Sequence, residues 1–447
     1  MNNVDNIRLE QFRQIKKEIR GSSEYLIIGI DIAKSKHYAF FGTATGKTLL
    51  KRMIFENNLE GFNKLRAHED SVKTRYGFQK TIYGLEATGN YHKPLGEHLI
   101  KCCRNVVLVP GVAVKNNRKM IYGRWDKNDT KDAAVIADLI SQGKFAFYEY
   151  ATMPLRDLRN LLSLKRRLKK QEHSHKVRIR NNLLAQYFPE LDQYYSTWGK
   201  EGLAIVRWCL DPSIIYGLEY DEFTRRVAPD CRGGIPQQKR LKAVWETAIK
   251  SVGCAAGESL DVETKLMMEG LQYTRESIKY VEEKIKEICL NIPEYEYLLS
   301  IPGFGPDISS KVVAAIGHPF RFNNGRQVLK MAGMDLSASR SGENSDNATP
   351  KLSKSGKANL RYALYQAAMI ASTKDVHFMR YYTEKLRGRE KEKGIKTKMR
   401  VKLAAKMLII AWTLMKKQEY FNPEYFRLLQ KGRGRSGWGK RVWGGGW

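Results

Sequence analysis

Short apolar runs separated by amphipathic stretches fill the first 150 residues, and long charged stretches with leucine stripes follow them. Tyr25–Asp31 and residues 81–86 are rich in aliphatic and β-branched side chains and are bounded by Gly and polar positions, as buried strands are. Between them, 37–41 and 48–54 read as two further strands of a meander, and 57–68 as a helix. Residues 80–86 return as a strand, 91–101 as a helix and 105–110 as a fifth strand; helices follow at about 112–120 and 130–142.

Three strands, a helix, a strand, a helix, a strand and then helices is an order that resembles the α/β ribonuclease-H-like (RuvC-like) folds. Beyond it, Leu155, Leu158, Leu161, Leu164 and Leu168 recur at three- and four-residue steps through 155–187. Leu271, Ile278, Val281, Ile285 and Ile288 keep a similar rhythm. Matched seams predict a long helical coiled-coil arm, paired within one chain or between two. Residues 190–258, with their tryptophans and Pro/Gly breaks, read as a small helical insertion of no legible role. A mainly α unit follows. It opens on Ile301-Pro302-Gly303-Phe304-Gly305-Pro306 ahead of an apolar helix over 308–316, a spacing that resembles a helix-hairpin-helix contact to a nucleic-acid backbone. In that reading Gly303 and Gly305 let backbone N–H groups approach a phosphate; as a plain tight turn the same residues carry no function.

Charge narrows the partners. Over 447 residues, 78 Lys and Arg face 47 Asp and Glu, a net of +31, which favours a polyanion and above all nucleic acid. The excess continues from Arg380 onward, where 19 Lys and Arg accompany 5 Glu and Trp438, Trp443 and Trp447 stand among glycines. Such a tail can neutralise phosphates and stack on bases, or merely keep the chain in solution. The longest apolar run, 407–415, is too short to span a membrane and reads as a buried helix. Six cysteines without C-x-x-C spacing argue against structural zinc and for reduced thiols in a cytoplasm, and residues 1–24 are polar and charged, unlike a secretory signal.

The candidate chemistry lies in carboxylates. Asp31 and Glu86 each close a predicted strand, and Asp129 and Asp132 are three apart at the start of a predicted helix, so they share a face. Four acidic groups brought together repel one another unless divalent cations sit between them. Hard oxygen ligands around two ions suit phosphoryl transfer. The ordinary alternative is that Asp129 caps a helix and Asp132 complements its positive end.

The motifs Gly29-Ile30-Asp31, Glu86-Ala87-Thr88-Gly89-Asn90-Tyr91 and Asp129-Thr130-Lys131-Asp132-Ala133 stand in this order ahead of the proline-glycine turn. Ala332-Gly333, Arg340-Ser341-Gly342, Ser353-Lys354-Ser355-Gly356 and Leu360-Arg361 come after it. Together they resemble the DEDD transposases of insertion-sequence family 110, relatives of the Piv invertase. The resemblance implies magnesium ions, two per site and replaceable by manganese, on Asp31, Glu86, Asp129 and Asp132. It also implies a serine nucleophile at Ser341, with Ser339 as competitor. Arg340, Lys351, Lys354 and Arg361 become candidate phosphate contacts. Implied partners are donor and target DNA, a guide (bridge) RNA and further copies of the chain in a dimer or tetramer. The implied division is an extension at 1–24, a catalytic domain at 25–150, and a helical region at 151–295 containing 190–258. A transposase domain at 296–378 and a basic helix and tail at 379–447 complete it. A structure-specific nuclease of the Holliday-junction-resolving kind, using water as nucleophile, would share the acidic fold.

Overall fold

The computed structural model describes residues 3–87, 89–122, 129–193, 199–227, 234–337 and 351–424. They fall into two compact units: Met1–Thr152 with Ile316–Val328, and Met153–Ala315 with the described part of Leu329–Gly439.

In the first unit α1 (Asn3–Glu18) precedes β1 (Tyr25–Asp31), β2 (Lys36–Thr43) and β3 (Thr48–Glu56). α2 (Leu59–Tyr76), β4 (Lys80–Glu86), α3 (His92–Lys101) and β5 (Asn105–Val109) follow. α4 (Gly111–Tyr122), α5 (Asp129–Ser141) and the short β6 (Ala146–Phe147) complete the set. The sheet runs β3-β2-β1-β4-β5-β6, with β1–β4 and β4–β5 parallel and the remaining pairs antiparallel. Every residue of β1 is buried because the strand has a core on each side. Leu26, Ile28 and Ile30 pack with Phe55, Leu95 and Leu99 on one face, and Tyr25 and Ile27 with Ile136 and Ile140 of α5 on the other. That burial on both faces explains the unbroken apolar run.

The expected strands and helices are present here, with α2 running eight residues past its expected end at 68. Residues 1–24 are not a mere polar extension. Leu9, Ile15 and Ile19 of this stretch are buried, and Phe12 meets Phe145 edge-on at 5.7 Å. These apolar positions recur at helical spacing, a stripe obscured by the many charges around it.

The second unit starts with α6 (Met153–Arg178), continued by a wider turn at Ile179–Leu184 and α7 (Ala185–Tyr187). α8 (Lys200–Trp208), α9 (Pro212–Tyr216), α10 (Tyr220–Val227) and α11 (Ile235–Ala248) form the small insertion, around Ile205, Phe223, Leu241 and Val244. α12 (Glu258–Leu290) then returns along α6. Lys165 meets Glu282 at 3.0 Å and Glu172 meets Arg275 at 3.3 Å, so the two helices run antiparallel within one chain. Leu158, Leu271, Ile278, Val281 and Ile285 of the expected stripes are buried.

α13 (Pro293–Leu299), α14 (Pro306–Ile316) and α15 (Gly325–Ala332) lead to a ribbon of β7 (Leu336–Ser337) and β8 (Lys351–Leu352). α16 (Ala358–Lys374), α17 (Val376–Leu386) and α18 (Ile395–Lys417) follow. Two expected boundaries are displaced. Ile316–Val328 leave the stretch 296–378 for the first unit, where the His318 N–H donates to Glu149 at 2.7 Å. The division at 378 falls inside α17, and α18 packs on α13, α16 and α17. The cause is the apolar Met407–Met415 segment, which is buried as its composition predicts. Among the described residues no helix is long and apolar enough to cross a membrane.

Candidate active site

Asp31 and Glu86 end adjacent parallel strands in register: Ile30 pairs with Leu85, so the two carboxylates come next, side by side. Neighbouring strands lie about 4.8 Å apart, and strand alternation puts Asp31 on the face of Gly29 and Glu86 on the face of Gly84. Both glycines are required there. A Cβ on Gly29 would collide with the Ala133 carbonyl and lie 2.7 Å from the Ala137 nitrogen, and one on Gly84 would strike Ile140. α5 therefore lies directly on the sheet over these two positions.

The direction of α5 follows from its ends. Gly143, just past its C-terminus, sits against Ile19 and Arg20, which precede β1. The first turn of α5, which holds Asp129 and Asp132, consequently lies toward the end of β1 where Asp31 stands. The side chain of Asp129 is outside the described residues. Asp132 is 2% exposed. α4 starts at the same margin: a Cβ on Gly111 would lie 2.5 Å from Glu86 Oε1. A helix N-terminus beside a carboxylate is electrostatically favourable.

One contact was not foreseen from the sequence. Arg118 of α4 places Nη1 2.6 Å from both oxygens of Asp132. Among 78 basic residues nothing singles this arginine out, because its partner is 14 residues away on another helix.

The donor set fits a hard divalent cation, since every expected ligand is a carboxylate. Asp31, Glu86 and the α5 backbone share one sheet margin. Yet among the described residues no three Asp, Glu, His or Cys side chains surround a common point, and Asp132 is occupied by a guanidinium.

In the second unit Gly303 has φ +86°, and a Cβ there would lie 2.6 Å from the Ala367 carbonyl of α16. Gly303 is thus turned into helix packing, whereas Gly305 faces open space. Asp307, in the first turn of α14, pairs with Lys165 at 2.7 Å and with Lys311, so an anion already occupies that helix end. Burial would raise the Asp307 carboxyl, but the two lysines outweigh it and hold it below the usual range.

Ser341, Ser339 and Arg340 lie outside the described residues. The base of their segment is described: Leu336 pairs with Leu352 and Ser337 with Lys351. Beneath it Gly333 and Gly356 press backbone to backbone, and a Cβ on Gly356 would lie 2.6 Å from the Met331 carbonyl and strike the Gly333 nitrogen. Arg361 donates from Nη1 to the carbonyls of Ala332 (3.0 Å) and Gly356 (3.2 Å), which ties it into this clamp. Lys351 and Lys354 are exposed beside it.

Comparison with known proteins accounts for both sets of motifs. A family model for DEDD transposases of IS110 elements, described as "Transposase", matches residues 28–189. One described as "Transposase IS116/IS110/IS902 family" matches residues 295–383. The chain is 22% identical over 409 residues to the IS116 insertion-element 44.8 kDa protein of Streptomyces clavuligerus, covering 89% of this chain and 96% of that one. It is 23% identical over 421 residues to the transposase for insertion sequence element IS1111A of Coxiella burnetii, covering 93% and 96%.

Proposed function

The chain belongs to the IS110 family of insertion-sequence transposases, DNA-processing enzymes, and from that premise we propose that it cuts and rejoins DNA at the ends of its element through a serine-linked intermediate. The observation that carries this reading is the placing of Asp31 and Glu86 at neighbouring strand ends, with the α5 turn that bears Asp129 and Asp132 directed to the same margin. The strand order β3-β2-β1-β4-β5 supports a ribonuclease-H-like (RuvC-like) assignment for this unit.

Asp31, Glu86, Asp129 and Asp132 would hold the divalent ions, two magnesium ions in this reading, whose chemistry would be to polarise the phosphate and stabilise the departing oxygen. Ser341 Oγ attacks the phosphorus and forms a serine–phosphate ester. The displaced sugar oxygen takes up a proton, and the serine proton passes to solvent. One phosphodiester is exchanged for another, so its bond energy is kept for rejoining. Lys351 and Lys354 contact phosphate. The name DEDD describes the carboxylates alone, so the serine rests on the Arg340-Ser341-Gly342 motif. A guide RNA and assembly as a dimer or tetramer belong to the same reading, and the net charge of +31 suits both nucleic acids.

A nicked donor DNA that traps covalent adducts is the direct test. Wild-type protein should yield a protein–DNA adduct, Ser341→Ala none, and Asp31→Asn a loss of about a thousandfold or more in its rate of formation. Cleavage without an adduct, unaffected by Ser341→Ala, would instead identify a water-using junction nuclease. Sequencing the RNA that co-purifies with the protein tests the guide.

A further inference from the structure

We infer that Arg118 is a positioning residue that occupies Asp132 until a divalent ion displaces it; the inference rests on the carboxylate reading above. Asp132 has a side chain 3% exposed, and an unpaired charge so deeply buried is costly. The guanidinium meets this need by a single nitrogen at 2.6 Å from both carboxylate oxygens, which are the atoms a metal would use. A cation on those oxygens and a metal ion exclude each other.

The surroundings allow the exchange. α4 is fastened to α5 independently, through Asn117 Nδ2 donating to Asp138 at 2.9 Å. Gln142 donates to the same Asp138 carboxylate at 2.7 Å. When the Arg118 side chain turns away from Asp132, the Asn117–Asp138 bond still ties α4 to α5. Because α4 starts against Glu86, the same helix touches one expected ligand with its first residue and another with Arg118. Once released, the guanidinium is a cation beside the ion site and available to a phosphate oxygen.

Binding of Mn2+ to the full-length protein, counted by electron paramagnetic resonance, tests this without reference to strand transfer. Arg118→Met should bind Mn2+ about tenfold more tightly than wild type, as neighbours of metal ligands commonly shift affinity by that order. It should also melt at a lower temperature in EDTA, with the deficit shrinking as Mn2+ is added. Arg118→Lys keeps the charge on a side chain one bond shorter than the reach of Nη1, so it should lie between them, and it decides the matter if Arg118→Met does not fold. Equal or weaker Mn2+ binding by the folded variants overturns the inference and leaves the metal site standing. Wild-type binding that survives both Asp31→Asn and Glu86→Gln overturns the site and the inference together.

Discussion

The carboxylate margin and the serine segment belong to different units and are supported in opposite ways. Asp31 and Glu86 end strands buried on both faces and locked beneath α5 by two glycines without room for a methyl group. The segment that contains Ser341 starts from a ribbon of two residue pairs, held at its base by Gly333 against Gly356. In the proposed reading Asp31 and Glu86 share an ion and must keep a fixed separation, and a rigid sheet supplies it. In the proposed reaction Ser341 must reach a bound strand, and the described ends of its segment depart from a firm base.

The glycines offer the strongest way to break this contrast. Gly29→Ala forces a methyl into the backbone of α5 and should destabilise the first unit by about 3 kcal/mol, read as a shift in urea midpoint, with Mn2+ binding lost alongside. Gly356→Ala should leave Mn2+ binding intact and abolish adduct formation, because it disturbs only the base of the serine segment. If Gly356→Ala forms adducts normally, the clamp has no part in placing Ser341.

A smaller effect is expected where the second unit is held by charge. Burial would raise the Glu172 carboxyl, but Lys176 and Lys169 outweigh it and hold it at about 2. With a folded value below the ordinary 4.5, this group stabilises α6, which carries both lysines, fully above pH 4.5. The contribution disappears as the pH falls toward 2. Roughly 1–2 kcal/mol should be lost across that window, and Glu172→Gln should flatten the acid limb of a melting-temperature profile.

The least effect belongs to single exposed cations. Lys351→Ala or Lys354→Ala should weaken nucleic-acid binding uniformly across sequences and reduce the slope of log affinity against log salt by about 1 each. An unchanged slope would remove these lysines from the interface.

Much of the first unit was legible in the sequence because local pattern and tertiary role agree there: strands covered on both faces must be continuously apolar, and each ends visibly on its carboxylate. The leucine stripes of α6 and α12 were legible for the same reason, as was the burial of Met407–Met415. The stripe of α1 was present but masked by charges. What no local pattern could convey was pairing across distance. That α6 and α12 meet within one chain, that Gly303 faces α16, and that Arg118 holds Asp132 are consequences of chain packing in three dimensions. The sequence by itself determined which elements form and which acidic groups end them, since those depend on periodicity and side-chain type. Only the tertiary structure decided which charge neutralises which, because an ion pair between separate helices depends on their docking and leaves no trace in spacing.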